Sequence, residues 1–165
     1  MSTKPLTDIT KMVSDFIVKT GFEVIPENVL KKAKGVILDC LGVAIAGSLE
    51  PASKKVINVV KEEGSYPVAG VIAGGFKTSA MNAALANGTL THILDMNETN
   101  DSMQASPTAP VLPAVLAIGE ERQISGKEAL TAYLVGFEVE TKIGSAVNME
   151  HCERGWHTAC TLGTL

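Results

Sequence analysis

Residues 26–47 read PENVLKKAKGVILDCLGVAIAG, and this stretch decides the class of the fold. Val29, Leu30, Ala33, Val36, Ile37, Cys40, Leu41 and Ala44 recur at three- and four-residue steps, which puts one apolar stripe along a helix. Pro26 is suited to open that helix, and Gly47 to stop it. Cys40 falls on the stripe as a packed thiol, and Asp39 beside it reads as a capping or tethering carboxylate. Working outward, Thr7 reads as an N-cap for a shorter helix carrying Ile9, Met12, Val13, Phe16 and Ile17, ended by Thr20-Gly21.

Downstream, 52–63 reads as an amphipathic helix closed by Gly64. The apolar, glycine-punctuated segment 66–75 reads as a strand or a buried loop. Its Gly74-Gly75 pair lacks the G-K-[ST] that a phosphate loop needs. The alanine-rich 79–94 reads as helix, although Asn87-Gly88 alone would signal a turn. Ser106, Pro107, Pro110 and Pro113 predict irregular chain until a short helix over 111–122. Ser125-Gly-Lys-Glu128 is a capping box. It opens a helix that buries Ala129, Leu130, Tyr133, Leu134 and Phe137 and runs to about Val147. Glu138 and Glu140 lie beyond that stripe and are expected in solvent or paired with neighbouring lysines. The whole of 1–165 is therefore expected to be one mostly α domain, a helical bundle.

Composition narrows the function. The 165 residues are 45% hydrophobic and 19% charged, with a net charge of -4. No Lys/Arg cluster offers a nucleic-acid surface. The three cysteines are far apart and include no C-x-x-C, which fits a reducing compartment and neither a disulfide frame nor an iron–sulfur spacing. The first residues carry no apolar leader, and the most apolar run, 36–46, is broken by Asp39 and too short to span a bilayer. A cytoplasmic protein with no membrane contact is the expectation. The final TACTLGTL is apolar and uncapped and reads as a core helix cut soon after it starts, so a fragment or a split subunit is expected.

Polar chemistry gathers in two places. The first is 86–113, ANGTLTHILDMNETNDSMQASPTAPVLP. His92 and Asp95, three residues apart on a helix, share a face and could exchange a proton or supply two metal ligands, with no third at suitable spacing. Asn97, Glu98, Thr99 and Asp101 complete a polar loop. The second is Cys152 to His157, CERGWH, where Arg154 and His157 bracket Trp156. Arginine clamps carboxylates through two parallel hydrogen bonds, and histidine moves protons near neutral pH. A plainer reading gives these groups to surface hydrogen bonds, an Arg–carboxylate pair and a helix cap.

Taken in order, five blocks resemble the MmgE/PrpD family: ILDCLGVAIAG, NAALANGTLTHILD, APVLPAVLAIGE, SGKEALTAYLVGFEVE and ERGWHTACTLGTL. The family includes 2-methylcitrate dehydratase, cis-aconitate decarboxylase and iminodisuccinate epimerase. The resemblance implies a truncated helical N-terminal domain, joined in full-length members to a smaller α/β domain. It implies action without a bound cofactor on small di- and tricarboxylates: a proton is moved beside a carboxylate, with loss of water or carbon dioxide. By the family's H-x-L-D-F-D-D-T and W-H-P stretches, Asp95 and His157 are the expected catalytic residues and Thr99 an expected substrate contact; Arg154, by its own chemistry, and Ser106, at the family's H-P-S position, are the other expected substrate contacts. Asn97 and Glu98 replace two family aspartates. Ser106 stands where the family carries a histidine, with a one-residue length change upstream, and a serine cannot shuttle a proton as imidazole does. Epimerase or isomerase chemistry, or a silent module completed by a partner, are the other expectations. The partners implied are a small carboxylate and either a second copy in a homodimer or a chain supplying the second domain. The 165-residue chain alone is expected to show no turnover.

Overall fold

The computed structural model describes residues 8–164, and at positions 148 and 149 the backbone alone. Helix α2 (Glu27–Gly47) is the 21-residue element its stripe predicts, with Pro26 at the N-cap. Ala33, Cys40 and Ala44 are buried on it, while Leu38 and Ile45 on the opposite face are exposed. Helix α1 (Ile9–Lys19) is capped by Asp8, whose carboxylate accepts the Lys11 N–H, and ends at Thr20. The predicted cap Thr7 lies outside the described residues. Helix α3 (Pro51–Glu63) closes on Gly64 in the left-handed conformation that glycine adopts without a Cβ clash.

The segment that sequence left as strand or loop is a two-stranded hairpin, β1 (Ala69–Gly70) against β2 (Lys77–Thr78). Ala69 faces Thr78 and Gly70 faces Lys77 in antiparallel register. Two residues per strand are too few to hold themselves, and α4 and α5 grip them from outside. In α4 (Ala80–His92), Asn87 accepts the Ile72 N–H at 2.8 Å and donates to the Gly70 carbonyl at 3.0 Å. The Asn87-Gly88 pair is thus helical: its amide makes tertiary bonds that outweigh the local turn preference. From α5, Glu120 accepts both the Gly70 N–H (3.0 Å) and the Lys77 ammonium (2.9 Å).

Helix α5 (Thr108–Arg122) corrects the sequence expectation. It begins three residues before the predicted 111 and contains both Pro110 and Pro113. Pro110 sits in the first turn, where N–H groups have no helical partner. Pro113 is interior and deprives the Ala109 carbonyl of its donor. Thr91 of α4 compensates, sharing its hydroxyl between Gly88 (2.9 Å) and that Ala109 carbonyl (3.3 Å).

The capping box opens α6 (Gly126–Glu153), which runs six residues past the expected Val147. Its Tyr133 joins Ala33 and Cys40 of α2 and Leu112 of α5 in the main core. Glu138 pairs with Lys142 at 3.5 Å as expected. Glu140 does not: it is 4% exposed. It follows Tyr133 and Phe137 at helical steps and therefore shares their buried face. A short α7 (Thr158–Leu162) turns back, and Gly163 just after it lets the chain meet Pro110 of α5. The described residues are thus mostly helical, as expected. No single helix among them is long and apolar enough to cross a membrane, although α2 and α3, bent by 90°, pass that test together.

Candidate active site

The end of α4, the loop that follows it and the start of α7 meet on one side of the bundle. His92 is the last residue of α4, and its Nδ1 lies 2.9 Å from Asn97 Oδ1. Its ring meets that of His157 edge-on, with centroids 5.9 Å apart. His157 is the exposed N-cap residue of α7, so two polar clusters 65 positions apart in sequence come together here. His92 also lines an open cleft of about 640 Å³ with Thr89, Ile93, Pro110, Ala159 and Cys160.

Asp95 sits in the turn after α4. Its φ is 51°, left-handed backbone that few residues other than Gly, Asn and Asp accept. Its N–H donates to the His92 carbonyl at 3.0 Å, and its side chain is exposed. Thr99 is exposed on the same loop. Beyond it, Asn100 Oδ1 accepts the Ser102 and Met103 N–H groups, and Asn100 pairs with Ala105 across the loop. Met103 packs on α6 where only Gly144 leaves room, since a Cβ there would stand 2.3 Å from Met103 Cβ.

The loop is fastened from inside. Glu98 Oε1 accepts the Thr108 N–H at the start of α5 (2.8 Å), and the Thr108 hydroxyl lies 2.7 Å from Tyr133 Oη. Glu98 Oε2 and both Glu140 oxygens are buried without a partner among the described residues. Burial raises the Glu98 carboxyl above its ordinary value against the lowering effect of the Thr108 bonds. Burial, and then the Glu98 charge, push Glu140 up to about 7. Burial likewise pushes Tyr133 and Cys40 up to about 12, so both are neutral and neither is a ready nucleophile.

Of the predicted contacts, Ser106 is 8% exposed in the chain leading into α5 and does not line the cleft with His92. Arg154, at the end of α6, is held by Glu150 one turn back. Among the described residues no three His, Cys, Asp or Glu side chains cluster as a metal site requires. The groups that sequence missed are Thr108, Tyr133 and Glu140. Only Glu140 left a signal, its place on the apolar step of α6. Of the titratable groups, His92 lines the cleft, His157 meets its ring, and Asp95 sits in the turn that the His92 carbonyl holds, while Glu140 and Tyr133 are buried in the bundle. That is equipment for moving protons.

A sequence model of the MmgE/PrpD N-terminal domain matches residues 11–165. The chain is 30% identical to a cis-aconitate decarboxylase of Aspergillus terreus over 84% of its own length and 30% of that protein's. It is 25% identical to the cis-aconitate decarboxylase of Mus musculus over 97% of its length, and 24% identical to the cis-aconitate decarboxylase-like protein oryM of Aspergillus oryzae over the same share. The chain spans about a third of the length of these curated relatives. With its helical architecture and its five matching blocks in order, the chain belongs to the MmgE/PrpD family and corresponds to that family's N-terminal domain.

Proposed function

We propose that this chain supplies one wall of a lyase site that acts on a small di- or tricarboxylate of the citrate or aconitate kind. Asp95 and His157 handle the proton, Thr99 binds a substrate oxygen, and Arg154 turns from Glu150 to a substrate carboxylate. Ser106, buried as it is, serves through the loop it ends. The observation that carries this reading is the meeting of His157 with His92, the residue whose carbonyl holds the Asp95 turn.

The same geometry argues that the wall needs a facing one. Asp95, Glu98 and Asp101 make the loop acidic, and Arg154 is the one guanidinium in either polar cluster. An anion with two or three charges needs more cations than that to be held out of water. A second copy of the chain or a partner chain brings them in this reading. The test is to offer cis-aconitate, citrate and methylcitrate to the chain alone and to its native assembly, following products by proton NMR. Turnover by the assembly and none by the chain alone is expected. An assembly that leaves all three acids untouched would refute the lyase reading.

A further inference from the structure

His92 stands among the residues described above with no role in the chemistry just set out, yet it has the better-defined geometry of the two imidazoles. Its Nδ1 is tied to Asn97 Oδ1 at 2.9 Å. An amide oxygen only accepts, so Nδ1 carries the proton and Nε2 keeps the lone pair. The ring is half-buried, lines the cleft and meets His157 edge-on. Ser106, at the position where the family pattern has histidine, is buried and does not line this cleft.

We infer that His92 is a catalytic acid–base residue in its own right, exchanging the substrate proton at Nε2 and supplying the imidazole that Ser106 cannot. This rests on the lyase reading above. In a decarboxylation, the bond between the carbon skeleton and a carboxylate breaks, carbon dioxide leaves, and the electron pair stays on the skeleton. The proton on Nε2 of imidazolium His92 then closes the new C–H bond. His92 is left neutral, with its remaining proton on Nδ1 held by Asn97, and solvent restores the proton at Nε2. In a dehydration the same atom runs in the other sense: neutral Nε2 takes the proton beside the carboxylate, the C–H electron pair becomes the new double bond, and the hydroxyl on the adjacent carbon leaves as water with a proton from His157. Asn97 holds the ring in register in both senses and is a positioning residue.

Two kinds of measurement test this. In the full chain labelled with ¹⁵N-histidine, long-range proton–nitrogen spectra at neutral to alkaline pH should show His92 as the Nδ1–H tautomer. N97L should erase that preference while N97D keeps it. Titration with cis-aconitate should move the His92 Nε2 resonance in the chain or its native assembly. An Nε2–H tautomer, as the reversed Asn97 amide would impose, overturns the assignment, and so does a His92 resonance indifferent to saturating cis-aconitate. In the native assembly, H92Q should lower kcat by roughly 10²–10⁴-fold with a smaller change in KM, the range for loss of one acid–base group. A folded H92Q assembly within threefold of wild-type kcat overturns the inference. If the wild-type assembly turns over none of the acids, the lyase reading fails by itself, and the tautomer and titration results decide the fate of His92.

Discussion

Glu98 and Thr108 are joined by a 2.8 Å hydrogen bond in which the carboxylate accepts the first helical N–H of α5. One bond therefore fixes the loop carrying Asp95 and Thr99 to the helix that carries the core. Removing the acceptor with E98A should destabilise the fold by about 1–2 kcal/mol, as loss of a helix cap does. E98Q keeps an oxygen on Thr108 without a buried charge and should recover most of that loss. Urea unfolding of the three proteins measures it, and equal midpoints for E98A and wild type would contradict the anchoring role.

Glu140 should make stability depend on pH. Its carboxyl is held at about 7 in the folded chain against an ordinary 4.5. Between those values the folded state keeps a proton that the unfolded chain has released. Its contribution is thus fully present below about 4.5 and is lost as pH rises to about 7. E140Q should match wild type at pH 4 and exceed it at pH 8, by on the order of 1–3 kcal/mol once solvent screening discounts the full shift. Thermal melts across that range would show the two curves diverging. Parallel curves would mean that Glu140 finds a partner in solution.

Thr91 and Pro113 form a testable pair. T91V removes the only side-chain donor, among the described residues, to the Ala109 carbonyl that Pro113 has orphaned, and should cost about 1 kcal/mol. P113A returns a backbone N–H to that carbonyl, so T91V should cost less in the P113A background. The quantity to measure is the coupling energy of the double-mutant cycle. A value of zero would show that water serves the carbonyl instead.

Two glycines of α2 should respond in opposite directions to alanine. At Gly47 a Cβ would stand 2.3 Å from the Leu90 carbonyl oxygen and 2.8 Å from Ile93 Cγ2, so G47A must push α4 away. A loss of about 1–3 kcal/mol is expected, with a shift in the His92 environment. At Gly42 a Cβ would meet nothing within 4 Å, and G42A should gain about 0.5–1 kcal/mol from helix propensity. Calorimetry of the two variants side by side checks the contrast.

These residues also show what could be read in advance. Periodicity was enough for α2, α3 and α6, because burial of one face repeats along the chain. The capping box at Ser125 located the start of α6 to the residue. Local rules failed where a distant group changed the balance. Prolines argued against helix at 108–110, and it is the Thr91 hydroxyl, 18 residues earlier than the carbonyl it serves, that makes helix around Pro113 tolerable. At the site, the order of the polar clusters and, through the resemblance, their sharing of one site were legible, but the contact of His92 with His157 was not, since it depends on how α7 turns back onto α5. Glu140 was misplaced because its charge outweighed its position. A carboxylate is expected in water unless the helical step is followed without regard to residue type.

The grip of Asn87 on the hairpin bears on the order in which the chain acquires its structure. A side-chain amide that donates to Gly70 at the end of β1 and accepts from Ile72 two residues on occupies the place of another strand, yet it belongs to a helix. Strands of two residues have no register of their own, so theirs comes from the helices, from Asn87 of α4 and from Glu120 of α5, which binds both Gly70 and Lys77. The hairpin is in this sense a late dependant of the helices. Its amides should open to solvent exchange together with the α4 turn at Asn87, as one cooperative unit. A lesion at Asn87 would therefore melt a part of the chain that it touches at only two atoms.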